Sequence, residues 1–170
     1  MGITPAPPYD ESHDAPPPAA PGGRTATWGD RAGAATIDFF VRLAIVVACA
    51  ALGALAYLDS NDAGEIGLGF GIALGYILSS LVYAPLMMAR TGGQTVGHRS
   101  TNTRVVMADG SRMPGGRAFL REAIVKGILI EGIGSLTLYI LPIVNYLFPL
   151  WDAKDETLHD KMCSTRVVAA

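Results

Sequence analysis

The chain has 170 residues, of which half are hydrophobic and only 16% are charged, and its formal net charge is −2. This length suits one domain, and a net charge so close to zero excludes the strongly basic balance of a nucleic-acid-binding protein. Three long apolar stretches in a chain of this composition are typical of an integral membrane protein.

Residues 1–30 differ from the rest of the chain, because they hold seven of its eleven prolines with alanine, glycine and acidic residues between them. Such a segment cannot bury enough apolar surface to fold. We therefore predict a disordered cytoplasmic tail with polyproline II character, followed by a membrane domain over residues 31–168.

The first apolar span, predicted over about 34–58, carries an acid and two arginines near its start. In a helix, Arg31 and Asp38 lie on one face, and Asp38 and Arg42 are four residues apart and can pair directly. An ionised side chain at membrane depth costs roughly 2.5–3.5 kcal/mol, so we expect Arg31 and Arg42 to neutralise Asp38. The alternative is a topology anchor, in which long side chains reach back to the headgroups.

The second span, predicted over about 66–89, has no charged residue. Gly67, Gly71, Gly75 and Ser79 recur at every fourth position and form one smooth stripe. Stripes of small residues let membrane helices approach closely. We predict that this stripe packs against the first span within the same chain, and a homodimer through the stripe is the competing hypothesis.

Residues 90–126 carry seven basic residues against two acids, Asp109 and Glu122. The positive-inside rule predicts that this segment is cytoplasmic, where it would touch anionic lipid headgroups. Residues 103–113 predict a small β-hairpin with a type I′ turn at Asp109-Gly110. From Gly116 the spacing predicts an amphipathic helix in the interface plane, with Arg117 and Arg121 on one face.

The third apolar region, residues 127–151, contains Glu131, Pro142 and Pro149. It either crosses once or is a broken helix that returns to the side from which it started. Residues 103–106 (TRVV) recur as residues 165–168, and we predict that the two strands pair. Pairing requires that both strands lie on the same side of the membrane, which makes the C-terminus cytoplasmic. The alternative is that the four-residue recurrence arose by chance. Together these features predict an all-α membrane protein with three to four apolar helical segments, a cytoplasmic β-hairpin and an interfacial amphipathic helix.

Several motifs resemble those of the RDD family of bacterial membrane proteins. They are Arg31 with Asp38, residues 93–99 (GQTVGHR), Arg104-Val-Val with Asp109-Gly110, Phe119-Leu-Arg121-Glu122, and residues 157–161 (TLHDK) with Asp160 as the second aspartate. His98 stands where the family usually has lysine. The resemblance covers about residues 28–168 and implies transport of an unidentified ligand or cation/proton exchange in the bacterial plasma membrane.

Two functions follow as hypotheses. The first is transport, with Asp38 and Glu131 as acids inside apolar helices and a homo-oligomer to supply enough spans. The second is a non-transporting scaffold or assembly factor in which Arg31, Asp38 and Asp160 form a structural ion-pair lock. The supporting candidate residues are Arg42, Gln94, Thr95, His98, Arg99, Arg121, Glu131 and His159.

An enzymatic function is not expected, because the chain shows no metal-ligand cluster, phosphate loop or nucleophile motif. Cys49 and Cys163 have no metal spacing and are predicted to be free thiols. We therefore expect no catalytic residue, no metal and no cofactor, and the lipid bilayer as the main partner.

Overall fold

A computed structural model describes residues 23–56, 63–134, 136 and 138–170, and most of these are helical. Of the tail predicted over residues 1–30, residues 1–22 lie outside the described residues, as do residues 57–62 between the first two spans. From Trp28 the predicted tail is already part of α1. The helices are α1 (Trp28–Ala56), α2 (Ala63–Ile77), α3 (Ala84–Thr91), α4 (Val96–Ser100), α5 (Gly115–Phe119), α6 (Ile140–Leu147) and α7 (Leu158–Cys163). Leu78–Tyr83 (π1) and Leu120–Ile133 (π2) are wound as π-helices, Phe148–Leu150 is a 3₁₀ turn, and the strands are β1 (Thr103–Met107) and β2 (Thr165–Ala169).

Two helical stretches are long and apolar enough to cross a membrane. They are Trp28–Leu55, with 28 residues, and Glu65–Thr91, with 27 residues, in which α2, π1 and α3 follow one another without a gap. Large apolar side chains on both stretches are exposed, among them Phe40 and Phe70 at 61% and 68%. A surface of this kind suits lipid rather than water.

The glycine stripe of α2 packs against α1, as the sequence predicts. A Cβ atom on Gly71 would clash with the carbonyl oxygen of Cys49, and one on Gly75 with the backbone of Val46. The stripe residues Gly67, Gly71, Gly75 and Ser79 are all buried. The two backbones therefore touch, and the stripe is closed to a second copy of the chain.

The predicted pairing of the two TRVV segments is confirmed. β1 and β2 are antiparallel, with Arg104 opposite Val168 and Val106 opposite Arg166. Thr25 forms an isolated bridge with Val168, so the segment before α1 joins the same sheet. We call the side of the molecule that carries these strands the sheet face.

The small core of the sheet face lies between the strands and the helix ends. It consists of Ala26, Met88, Val105, Met113, Ala118 and Val167. Cys163 is buried near it and Cys49 lies half-buried on α1, and both are free thiols.

The predicted hairpin over residues 103–113 is present only as one bridge, and its predicted turn type was wrong. The bridge joins Val106 to Arg112 on the edge of β1 opposite β2. On that edge Val105 N donates to Gly93 O at 2.8 Å, so the loop before α4 takes the place of a longer return arm. The turn is a three-residue loop closed by a hydrogen bond from Met107 N to Ser111 O of 3.0 Å. Only Gly110 has a positive φ, of 85°, whereas a type I′ turn needs positive φ at Asp109 as well.

The helix of the third apolar region is broken near its middle, and the chain then returns to the sheet face. π2 ends at Ile133 and α6 begins at Ile140, and Leu138 and Tyr139 between them have positive φ values of 52° and 63°. The chain then reaches β2, which pairs with β1 on the sheet face. A single crossing would have left β2 on the opposite side.

The predicted amphipathic helix from Gly116 was also wrong. Arg121 and Glu122 are buried, at 3% and 5% exposure, whereas Phe119 and Leu120 are exposed. The charged side chains point into the protein because they belong to an ion-pair network described below. The charged side of this segment is therefore buried together with Ala118 and Val125, while Phe119 and Leu120 face outward.

Replacement of Gly71 by alanine is expected to lower the free energy of unfolding by about 1–3 kcal/mol, because the new methyl group must push α1 and α2 apart. The matched control is Gly69→Ala on the same helix, where an added Cβ meets nothing within 4 Å. Thermal unfolding in detergent measures both. An equal change in Tm for the two variants would contradict the close helix contact.

Candidate functional site

The centre of the sheet face is a buried carboxylate held by two arginines. Asp160 has no exposed surface, and its Oδ2 accepts a hydrogen bond from Arg31 Nη1 at 2.8 Å. Its Oδ1 accepts one from Arg121 Nη2 at 2.6 Å. This contact joins the head of α1, the start of π2 and the first turn of α7, so the predicted association of Arg31 with Asp160 is present.

The local fold of α7 orients Asp160. Thr157 is the N-cap, and its hydroxyl accepts from Asp160 N while the Asp160 carboxylate accepts from Thr157 N, which completes a capping box. Thr165 Oγ1 donates to the same carboxylate at 3.2 Å. Burial alone would raise the pKa of Asp160, but the guanidinium of Arg121, together with that of Arg31, holds that pKa well below its ordinary value.

The network continues along π2 with alternating charge. Arg121 forms an ion pair with Glu122, and Lys126 Nζ lies 3.6 Å from the second Glu122 oxygen. Lys126 also lies over the ring of Tyr146, with Nζ 5.8 Å from the ring centre. π2 therefore carries a row of paired charges along its inner face.

His159 is a buried neutral member of the same network. Its Nε2 lies 3.0 Å from Arg121 Nη2, and because arginine can only donate, Nε2 must be the acceptor. Nδ1 then carries the hydrogen and lies 3.0 Å from Asn145 Oδ1. Burial, and then the charge of Arg121, lower the pKa of His159 to about 3.

Asp38 has different partners from those predicted. Its carboxylate accepts hydrogen bonds from the Tyr83 hydroxyl at 2.8 Å, from Thr95 Oγ1 at 2.5 Å and from Gly97 N at 2.9 Å. The prediction that Arg31 and Arg42 neutralise Asp38 was therefore wrong. The first turn of α4 docks on α1 and supplies neutral donors, which leaves both arginines for acids elsewhere in the chain.

Thr95 links Asp38 to His98. The hydroxyl of Thr95 lies 2.7 Å from His98 Nδ1, and since its one hydrogen is directed to Asp38, His98 Nδ1–H must be the donor. His98 Nδ1 is 3.9 Å from the Asp38 carboxylate. Burial, followed by the charge of Arg121, lowers the pKa of His98 to about 4, so this histidine is neutral at pH 7.

Gln94 and Arg99, the other two candidate residues in the GQTVGHR motif, lie away from these carboxylates. Gln94 Nε2 donates to Thr103 O at 2.9 Å and ties the loop to β1. Arg99 is exposed on α4. Neither side chain reaches the carboxylates of Asp38 or Asp160.

A second ion pair lies deeper, between the apolar helices. Arg42 Nη2 is 3.1 Å from Glu131 Oε2 and donates to Ser80 Oγ at 2.8 Å, which joins α1, π1 and π2. The two charged side chains are 23% and 22% exposed, unlike the buried Asp160. Their exposed part faces a cavity.

Two cavities adjoin these networks. The base cavity, of about 90 Å³, is lined by residues that include Trp28, Arg31, His98, Arg121, Thr157 and His159. The span cavity, of about 530 Å³, is lined by residues that include Arg42, Ser80, Glu131, Tyr139 and Pro142. Ala35, Asp38, Lys126 and Tyr146 line both cavities, so the two adjoin each other.

Sequence reasoning missed several of these residues. Lys126 lies four residues after Glu122, the spacing of an ion pair, but the sequence predicted both on an interfacial helix. Thr157 and Asp160 have the spacing of a capping box, a signal that the sequence prediction did not use. Tyr83 and Asn145 carried no comparable signal, because their roles depend on which segments meet.

Replacement of Asp160 by asparagine is expected to lower the free energy of unfolding by about 3–5 kcal/mol, because two buried guanidinium groups lose their counter-charge. The control is Asp155→Asn, an exposed aspartate whose φ of 54° asparagine also adopts readily. Unfolding of both purified variants in detergent measures the difference. A small and equal loss of stability in the two variants would mean that the ion pairs of Asp160 with Arg31 and Arg121 add little to the stability of the protein.

The stability of the protein is expected to fall as the pH drops from about 6.5 towards 3. An unfolded His159 binds a proton near its ordinary pKa of 6.5, but the folded protein binds it only near pH 3, so acid favours the unfolded state. Tm measured across this range should decline less steeply in His159→Gln than in the native protein. His98→Gln should flatten the same curve, since His98 titrates near pH 4 when folded. An unchanged slope in both variants would show that these histidines are already protonated in the fold.

The comparisons with known proteins agree with this arrangement. The RDD family model matches residues 25–164, which include α1, the GQTVGHR loop and α7. No curated protein and no solved structure matches the chain. Because the family model covers most of the sequence, the chain belongs to the RDD family.

Proposed function

We propose that the protein moves a small polar or charged solute across the membrane through the span cavity, and that it is a transporter rather than an enzyme. The observation that carries this proposal is the Arg42–Glu131 ion pair on the wall of a cavity of about 530 Å³ between apolar helices. Ionisable residues at membrane depth that face a cavity typically mark the path of an ion or substrate. The volume lies within the usual range of ligand sites.

Glu131 is the acid best suited to exchange a cation or a proton. Its carboxylate has one guanidinium partner and remains partly accessible to the cavity. Asp160 is fully buried and is held by two guanidinium groups, so its proton affinity is too low for exchange. Asp38 also lines both cavities, but its carboxylate already accepts three hydrogen bonds, so it is less suited to exchange than Glu131.

The membrane setting of this proposal is the bacterial plasma membrane, with the chain crossing more than once. We place the sheet face in the cytoplasm, because Arg90, Arg99, Arg104, Arg112 and Arg117 are all exposed near it. Both described ends of the chain would then be cytoplasmic, and these arginines would contact anionic headgroups. Transport by so few spans requires a homo-oligomer that uses a surface other than the closed glycine stripe.

The second candidate function is a membrane scaffold or assembly factor. The observation that favours it is the Arg31–Asp160–Arg121 network, which is buried and joins three distant segments without contacting the span cavity. In that case the charges would serve only to fix one conformation.

Cation/proton exchange by the purified protein in liposomes discriminates the two functions. Imposed sodium or potassium gradients should drive a pH change, read with an internal dye, and Glu131→Gln should reduce the rate at least tenfold. The matched control is Glu65→Gln, an exposed acid at the start of α2, which should leave the rate unchanged.

Two further measurements make the result decisive. The double variant Arg42→Gln/Glu131→Gln leaves no unpaired charge, so it should fold and still be inactive. Flux no greater than in empty liposomes from folded native protein would overturn exchange and favour the scaffold. Equal rates in the native protein and both Glu131 variants would remove this ion pair from the mechanism.

A further inference from the structure

Three cationic side chains line the base cavity: Arg31, Arg121 and Lys126. The Asp38 carboxylate and the neutral rings of His98 and His159 also line it. Guanidinium and ammonium groups have no acceptor atoms. An occupant that binds the three cations must therefore supply acceptors.

One buried nitrogen on the wall of this cavity lacks a hydrogen-bond partner. Among the described residues, four buried side-chain nitrogens have none: Arg31 Nη2, Asn145 Nδ2 and two on Arg166. Of these residues, only Arg31 lines the cavity, and its side chain is 9% exposed. Buried donors in native proteins almost always have a partner, so Arg31 Nη2 points to a ligand.

The nearby acids do not bind this nitrogen. Both oxygens of Asp160 already accept from guanidinium groups, and Asp38 accepts from three donors. Glu122 is shared between Arg121 and Lys126. These three carboxylates are therefore occupied, while Arg31 Nη2 remains as a donor on the cavity wall.

We propose that the base cavity binds a small inorganic anion, of the size of chloride, sulfate or phosphate. Arg31 Nη2 donates to it directly, and Arg121 and Lys126 supply the surrounding positive charge. A volume of about 90 Å³ corresponds to roughly three water molecules, which leaves room for such an ion but not for a nucleotide or a whole lipid headgroup. This site does not depend on the proposed transport function.

Trp28 provides a direct readout, because it lines the base cavity. The chain has two tryptophans, so Trp151→Phe leaves Trp28 as the sole indole. In that background we would titrate the full-length protein in detergent with sodium phosphate, sulfate or chloride at constant ionic strength, with gluconate as the large reference anion. The small anions should produce a saturable fluorescence change, and gluconate should not.

Arg31→Lys is the decisive variant, because lysine can still pair with Asp160 but has no second nitrogen for the anion. Its apparent affinity should be at least tenfold weaker, whereas Arg90→Lys, at an exposed position on α3, should match the native protein. If Arg31→Lys does not fold, Lys126→Gln carries the same test. Retained affinity in the folded variant would overturn the proposal.

Two other outcomes would also overturn it. A linear response without saturation in the native protein would mean that water fills the cavity. Saturation by a short-chain phosphatidylglycerol but by none of the inorganic anions would assign the site to a lipid phosphate instead of a free ion.

Discussion

The structure depends on one fully buried carboxylate that is shared by two guanidinium groups. Asp160 lies near the end of the chain, Arg31 at its first helix and Arg121 between them, so the contact closes two very long loops at one point. Removing these charges from water is costly, and only near-complete mutual neutralisation offsets the cost. The capping box of α7 orients the carboxylate through hydrogen bonds within one helical turn, so the position of this contact depends in part on a few local residues.

Features that depend on periodicity alone could be predicted from the sequence. The apolar runs, the four-residue glycine stripe and the recurrence of TRVV each describe one element or one pair of elements, and each is present in the structure. The family resemblance grouped Arg31 with Asp160, although they are far apart in sequence. Spacing within one helix could not have joined them.

Features that depend on a choice among partners could not be predicted. Asp38 has arginines at favourable helical spacing on both sides, yet it is bound by donors from the loop before α4 and from Tyr83. Arg121 and Glu122 have the spacing of a surface helix but are buried, because Asp160 lies beneath them. In each case the sequence allows more than one set of partners for the charged side chain, and the tertiary contacts determine which set forms.

The short return of the third apolar region has a consequence for the surrounding lipid. α6 and the 3₁₀ turn that follows it form one apolar helix, Ile140–Leu150, which is about 18 Å long and well short of a hydrocarbon core of about 30 Å. Leu136 and Leu138, at the break before it, are 83% and 85% exposed. Acyl chains on this flank must shorten or tilt to cover the partial crossing, so the protein should thin the leaflets locally and favour thinner membranes.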